Sequence, residues 1–165
     1  MTSPARSLPP TISADQDAVV EQIDIAATPE TVWAALADPQ QLLQWWGDCG
    51  LSHIVSWEQE LKVGGALHAC WRGPDGADFH LDGKFLVIDP PRCLSYSWCC
   101  DWAPPETSAV TWELKPVAGG TRVQITHSGL RGYPEAIQSY GGGWPGVLRG
   151  LRDCVLQAAS RNPAK

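Results

Sequence analysis

The chain has 165 residues, 44% of them hydrophobic, so it is long and apolar enough to bury the core of one globular domain. Its 18 acidic and 12 basic side chains give a net charge of −6, which argues against a nucleic-acid partner. No run of Lys and Arg indicates an anionic membrane surface, and no apolar run is long enough to span a bilayer. We therefore expect neither nucleic-acid binding nor membrane insertion.

The beginning of the chain is rich in Pro, Ser and Asp and has no apolar stretch behind a basic end. We interpret residues 1–16 as a disordered tail rather than a signal peptide, and residues 17–161 as a single domain. The protein is then expected to be cytoplasmic, as a monomer or a homodimer.

The first predicted elements are one strand, over about residues 18–26, and two short helices. Thr28 can cap the first helix, because the Pro that follows it suits the first helical position. Asp38, also followed by Pro, repeats this signal. The second helix leads toward the adjacent Trp45 and Trp46.

Six further short strands follow, separated by turn residues at hairpin-like intervals. In β-type alternation, Val110, Trp112 and Leu114 point one way and their polar neighbours the other. The pattern predicts a meandering antiparallel sheet with one covered face. The predicted strands cover about residues 51–57, 66–71, 79–89, 93–100, 109–116 and 121–128.

A long final helix is predicted from about Gly143 to Ser160. It carries one apolar stripe at helical spacing, and it ends before an Asn-Pro pair. The glycines at 141–143 predict a loop before the helix, either a plain tight turn or a hinge. The stripe consists of Trp144, Val147, Leu148, Leu151, Val155 and Ala158.

The distribution of the nine Trp residues suggests where a ligand could bind. Trp33 lies in the first helix and Trp144 opens the last one. Large rings on a sheet and on its covering helix can surround a pocket, although they can equally fill a core. The other seven are assigned to strands or strand edges: Trp45, Trp46, Trp57, Trp71, Trp98, Trp102 and Trp112.

The six Cys residues form neither a CxxC pair nor a zinc-type spacing, so we expect reduced and mostly buried thiols. Cys99 and Cys100 are adjacent and would point to opposite faces of a strand. His68 and Cys70 would share a face, but two ligands do not make a metal site. No metal and no other cofactor is expected.

Several segments, in this order, resemble the START-like (SRPBCC) superfamily, and within it the branch named for the activator of the heat-shock-protein-ninety ATPase. Residues 27–36 resemble its opening motif, and residues 42–46 its double-Trp segment. The strand-turn element at 61–65 and the central hairpin at 83–98 follow. Residues 120–130 and the Gly143-Trp144 pair complete a resemblance that covers about residues 19–156.

The resemblance implies an α+β helix-grip fold, in which a curved antiparallel sheet wraps around the long C-terminal helix. It also implies a cavity between them, where family members mostly bind or act on apolar small molecules. The branch name refers to a co-chaperone with extra domains, and that role is not expected of a single domain.

We predict that the cavity is lined by apolar residues of the sheet and the last helix: Trp46, Trp57, Trp71, Phe85, Trp98, Trp112, Trp144, Leu148 and Leu151. His68, His80 and Tyr96 are the polar candidates for selecting a ligand. His127 lies within a family segment and suggests an architectural role. Catalytic residues cannot be assigned, because the chain contains no nucleophile elbow, no HExxH and no phosphate loop.

Charged groups near the predicted cavity give weaker signals. Asp48, Glu58 and Glu60 could act as a base at the cavity mouth, and Arg72 could meet a ligand carboxylate. Solvated surface charge is the simpler interpretation of all four.

Three functions fit the sequence. The favoured one is binding of an apolar or aromatic small molecule, such as a lipid or a polyketide-like compound. An enzyme of cyclase, dehydratase or hydrolase type could use the same cavity for proton transfer. A protein-interaction module anchored by Trp102 in a loop is the third.

Replacing Trp144 by Ala distinguishes a filled core from a lined pocket. If the ring fills a core, the free energy of unfolding should fall by about 3–5 kcal/mol, because a large cavity is left. If it lines ligand space, ligand affinity should fall more than stability. Denaturant unfolding and ligand titration of the same variant measure both quantities.

Overall fold

The computed structural model describes residues 16–46, 53–101 and 104–161. Of the predicted tail, only Gln16 lies within these ranges. In chain order the elements are β1 (Val19–Ile25), α1 (Pro29–Ala37), α2 (Pro39–Trp45), β2 (His53–Gln59), β3 (Ala66–Arg72), β4 (Asp78–Asp89), β5 (Cys93–Cys100), β6 (Ser108–Val117), β7 (Gly120–Ser128) and α3 (Pro134–Arg161).

The strands form one seven-stranded sheet in the order β1-β7-β6-β5-β4-β3-β2, and every neighbouring pair is antiparallel. Six consecutive strands thus make a meander, and β1 adds to its far edge beside β7. The predicted order of one strand, two short helices, a meander and a long final helix is confirmed.

Irregular pairing accompanies the curvature of the sheet. The register shifts between Ile54 and Ser56 in β2, and between Phe85 and Val87 in β4. Such bulges bend a strand and increase its twist. The curved sheet holds the long helix in the predicted helix-grip arrangement.

Helices α1 and α2 begin where the sequence signals predict. The Thr28 hydroxyl accepts a hydrogen bond from the Thr31 N–H at 3.3 Å. The Asp38 carboxylate accepts from the Gln40 N–H at 3.0 Å and caps α2 in the same way. These contacts satisfy N–H groups that a helix start leaves without partners.

The assignment of the double Trp to a strand or strand edge is wrong. Trp45 is the last residue of α2 and Trp46 caps its C-terminus, donating its backbone N–H to the Leu42 carbonyl at 3.1 Å. Leu42, Trp45 and Trp46 are spaced by three and four residues, which places them on one buried face of a helix.

The predicted start of the last helix is also wrong, because α3 begins at Pro134 and runs through the three glycines. None of these glycines adopts a positive φ. The buried stripe continues across them from Ile137 to Trp144 and Leu148. Burial of this stripe stabilises a helix whose local sequence disfavours it.

The inner face of the sheet follows the predicted alternation. In β6, Val110, Trp112 and Leu114 are buried, whereas Glu113 is exposed. In the same way Cys99 is exposed and Cys100 is half-buried. No helix in the described ranges is both long enough and apolar enough to cross a membrane.

Two glycines of α3 should respond in opposite directions to replacement by Ala. A Cβ on Gly142 meets nothing within 4 Å, so Gly142→Ala should raise the free energy of unfolding, by about 1 kcal/mol. A Cβ on Gly150 would lie 2.9 Å from the Trp45 carbonyl oxygen, so Gly150→Ala should destabilise. Urea unfolding measures both, and a loss of stability in Gly142→Ala would contradict the helical assignment.

Candidate ligand-binding site

Aromatic side chains from the sheet, from α2 and from α3 meet on the inner side of the sheet. We call this set the aromatic interior. Each of its members is at most 6% exposed: Trp45, Trp46, Trp57, Trp71, Phe85, Tyr96, Trp98, Trp112 and Trp144. Such rings contribute large apolar contact areas and hold each other in defined orientations.

Trp46 lies at the centre of the aromatic interior. Its ring centroid is 5.2 Å from that of Trp45 and 6.2 Å from that of Trp98. The rings of four other Trp residues lie between these distances: Trp57, Trp71, Trp112 and Trp144. Separations of this size are favourable for aromatic pairs. One side chain at the end of α2 therefore connects the sheet with α3.

All nine residues predicted to line the cavity are buried, and the aromatic ones are brought together. Leu148 and Leu151 lie beside them on α3, at 2% and 0% exposure. Their role in ligand binding stays a prediction. Trp45 and Tyr140, whose rings contact Trp46 and Trp144, were not among the nine predicted lining residues. Tyr140 lies one helical turn before Trp144. This spacing was not recognised in the sequence, because the glycines between the two residues predicted a loop.

The structure supplies acceptors for five indole N–H groups of the aromatic interior. Trp45 donates to the Ala35 carbonyl at 2.9 Å, and Trp57 to the Gln59 side-chain oxygen at 2.8 Å. The remaining three donate to side chains: Trp98 to the Tyr140 hydroxyl, Trp112 to the Tyr96 hydroxyl and Trp144 to His127 Nδ1. Burial without such partners would cost about 1–3 kcal/mol for each group.

His127 joins β7, β6 and α3 through a buried chain of hydrogen bonds. Its Nδ1 accepts from Trp144 at 3.2 Å, and its Nε2 lies 2.7 Å from the Ser108 hydroxyl. The Ser108 hydroxyl donates to the Trp98 carbonyl at 3.3 Å. The proton of the ring is therefore on Nε2, which donates to Ser108.

This arrangement is not a nucleophilic Ser–His pair. In such a pair the hydroxyl donates to a free ring nitrogen, which then takes the proton. Here the ring donates to the hydroxyl, and its other nitrogen is occupied by an N–H. Burial also lowers the pKa of His127 to about 4. His127 is thus neutral and architectural at physiological pH.

Tyr96 is the one polar candidate that lies in the aromatic interior. Burial raises the pKa of its phenol well above the ordinary value, and the hydrogen bond from Trp112 opposes that rise only in part. The hydroxyl therefore stays protonated near neutral pH, where it acts as a hydrogen-bonding group and not as a base.

His68 and His80, predicted to face the cavity, lie on the outer face of the sheet. In β3 the inward residues are Leu67, Ala69 and Trp71, so strand alternation directs His68 outward. Its Nδ1 contacts the Asp82 carboxylate, and its side chain is 60% exposed. His80 is exposed as well. The sequence shows which residues share a face of the strand. Which of the two faces points inward depends on the face that the helix covers.

The charged candidates are solvated surface groups where the structure describes them. Arg72 pairs with Asp78 at 2.8 Å, and this pairing lowers the pKa of the Asp78 carboxyl. Glu60 pairs with Lys62 at 2.7 Å, with both side chains more than half exposed. Glu58 is also exposed. Asp48 and the loop residue Trp102 lie outside the described residues.

The cysteines are less buried than expected. Cys70, Cys93, Cys100 and Cys154 are half-buried, and Cys99 is exposed. Cys49 lies outside the described residues. Within the described ranges, no group of three or more His, Cys, Asp and Glu side chains could hold a metal ion.

His127 should make stability fall on acidification. Its pKa is about 4 in the folded protein and 6.5 in the unfolded chain, so the unfolded state binds more protons between these values. Stability should therefore be fully present above pH 6.5 and fall by about 3 kcal/mol as pH drops to 4. Urea unfolding across this window measures the slope. In a His127→Gln control, the free energy of unfolding should depend less on pH between 4 and 6.5. If this dependence is the same as in the wild-type protein, the lowered pKa of His127 is contradicted.

Solved structures share this fold along most of the chain. A protein from Nitrosomonas europaea is 20% identical with a TM-score of 0.75, and the match covers 87% of this chain and 97% of that one. One from Rhodobacter sphaeroides is 29% identical with a TM-score of 0.72, covering 89% of this chain and 95% of that one.

A protein in the dynemicin biosynthetic locus has a TM-score of 0.67 at 20% identity, covering 84% of this chain and 46% of that one. At this identity the likeness shows the fold alone. No curated protein matches the chain. The family model for "Activator of Hsp90 ATPase homolog 1-like protein" matches residues 26–155, and the chain therefore belongs to this family.

Proposed function

We propose that the protein binds an apolar, ring-containing small molecule against the aromatic interior. The observation that carries this proposal is the convergence of seven Trp rings with Phe85 and Tyr96 on one side of the sheet. Aromatic and apolar walls with few polar groups are typical of small-molecule sites. The family fold, with its sheet wrapped around a long helix, is compatible with such a role.

The polar groups near the rings favour binding over catalysis. Proton transfer needs a group whose pKa lies near the working pH and whose lone pair is free. The ring of His127 is held neutral with both nitrogens engaged, and Tyr96 is held protonated. Neither group is prepared to act as a base.

An enzyme of cyclase, dehydratase or hydrolase type is the second candidate. This alternative is motivated by the structural likeness to a protein that lies in a biosynthetic locus, that of dynemicin. Chemical change of a bound compound over time would support this alternative over simple binding.

Native mass spectrometry of the purified protein, followed by titration with naphthalene, palmitate and cholesterol, tests the proposal. A saturable change in Trp emission is expected with naphthalene, at dissociation constants on the order of tens of micromolar. The reason is that burying about 250 Å² of apolar ligand surface contributes about 6 kcal/mol.

Two variants show whether binding involves the aromatic interior. Trp71→Leu should weaken naphthalene binding about fivefold, because a ring pair contributes about 1 kcal/mol beyond burial. Trp33→Leu is the matched control: Trp33 lies on α1 and is only partly buried, so affinity should not change. No retained compound and no saturable response would contradict the proposal and favour a protein partner.

A further inference from the structure

Trp46 differs from its neighbours in the partner of its indole N–H. Five other indole N–H groups of the aromatic interior have acceptors in the protein. The Trp46 side chain contacts six Trp rings, but its N–H finds no acceptor among the described residues. A donor at the centre of an apolar cluster is thus left available.

This N–H is not sealed inside the protein. In the described part of the chain, no polar side-chain atom is both shielded from solvent and without a hydrogen-bond partner. Since the Trp46 N–H has no partner, it touches surface that a water-sized molecule can reach. The side chain as a whole is only 5% exposed.

Tyr96 offers a second donor in the same region. Its hydroxyl accepts from Trp112 at 3.0 Å, and its own proton has no acceptor among the described residues. The Tyr96 ring lies 6.3 Å from Trp57 and 6.4 Å from Trp98, and both of those rings also contact Trp46. Both side chains therefore belong to one cluster of rings.

We infer that the ligand carries a neutral hydrogen-bond acceptor, a carbonyl oxygen on an otherwise apolar ring system, and that Trp46 Nε1–H donates to it. This inference rests on the proposed function and specifies its ligand class. An indole N–H can only donate, so its partner has to be an acceptor, such as the carbonyl oxygen of a ketone, quinone or ester. The buried polar residues of the described chain include no Lys or Arg, so a carboxylate would be buried without a counter-ion.

A pair of compounds of the same shape tests the acceptor directly. Benzophenone has a C=O group where the other compound, 1,1-diphenylethylene (called diphenylethylene below), has a C=CH2 group. Trp46→Phe keeps an aromatic ring and removes the N–H. It should reduce the affinity for benzophenone relative to diphenylethylene about fivefold, the factor that corresponds to one hydrogen bond of about 1 kcal/mol. Equilibrium dialysis measures the four dissociation constants.

Trp57→Phe is the matched control, because the Trp57 N–H already donates to Gln59. Trp57→Phe should therefore change the affinities for benzophenone and for diphenylethylene by the same factor. A Trp46→Phe protein in which both affinities change equally would contradict the acceptor inference and leave the proposed function standing. Wild-type protein that binds neither compound would contradict the proposed function itself.

A spectroscopic measurement on the unaltered protein keeps the test independent of how Trp46→Phe folds. The infrared carbonyl band of bound benzophenone should lie at a lower frequency than in hexane, because a donated hydrogen bond weakens the C=O bond. A bound carbonyl with the frequency found in hexane would overturn the inference.

Discussion

The packing of rings around Trp46 is the interaction on which the rest of the structure depends. Trp46 touches rings of β2, β3, β5, β6 and α3 while its own backbone closes α2. The approach of α3 to this centre requires Gly150, where a side chain would meet the Trp45 carbonyl oxygen. One residue thus fixes how the short helices, the sheet and the long helix meet.

A Trp-rich interior has to satisfy polar atoms as well as bury apolar surface. Each buried indole carries an N–H whose loss of water is costly unless an acceptor replaces it. Tyr96, Tyr140 and His127 supply three of these acceptors. His127 is thereby committed to the architecture through both of its ring nitrogens, so the interior can hold a Ser–His contact without being a hydrolytic centre.

The two faces of the sheet have different chemistry. The outer face carries exposed ion pairs, such as Arg122 with Asp24 and Arg72 with Asp78, which contribute little stability. The inner face carries neutral hydrogen-bonding groups among rings. An apolar ligand with a few oxygen acceptors matches the inner face, whereas a charged ligand would find its partners only outside.

The sequence by itself determined the order of elements, the helix starts at Thr28 and Asp38, and the meander. Caps, turn residues and period-two alternation are local signals that act within a few residues. The same signals identified the set of large apolar residues that are buried. The family resemblance, which rests on the order of these segments, is confirmed by the family model.

Only the tertiary structure decided which features face inward and how far α3 extends. Strand alternation places His68 and His80 together, but only the position of α3 determines that their face is the outer one. The helix continues through Gly141–Gly143 because the burial of Ile137 and Trp144 on either side outweighs the local preference of glycine. Local sequence sets propensity and pattern, and long-range packing decides between the conformations they allow.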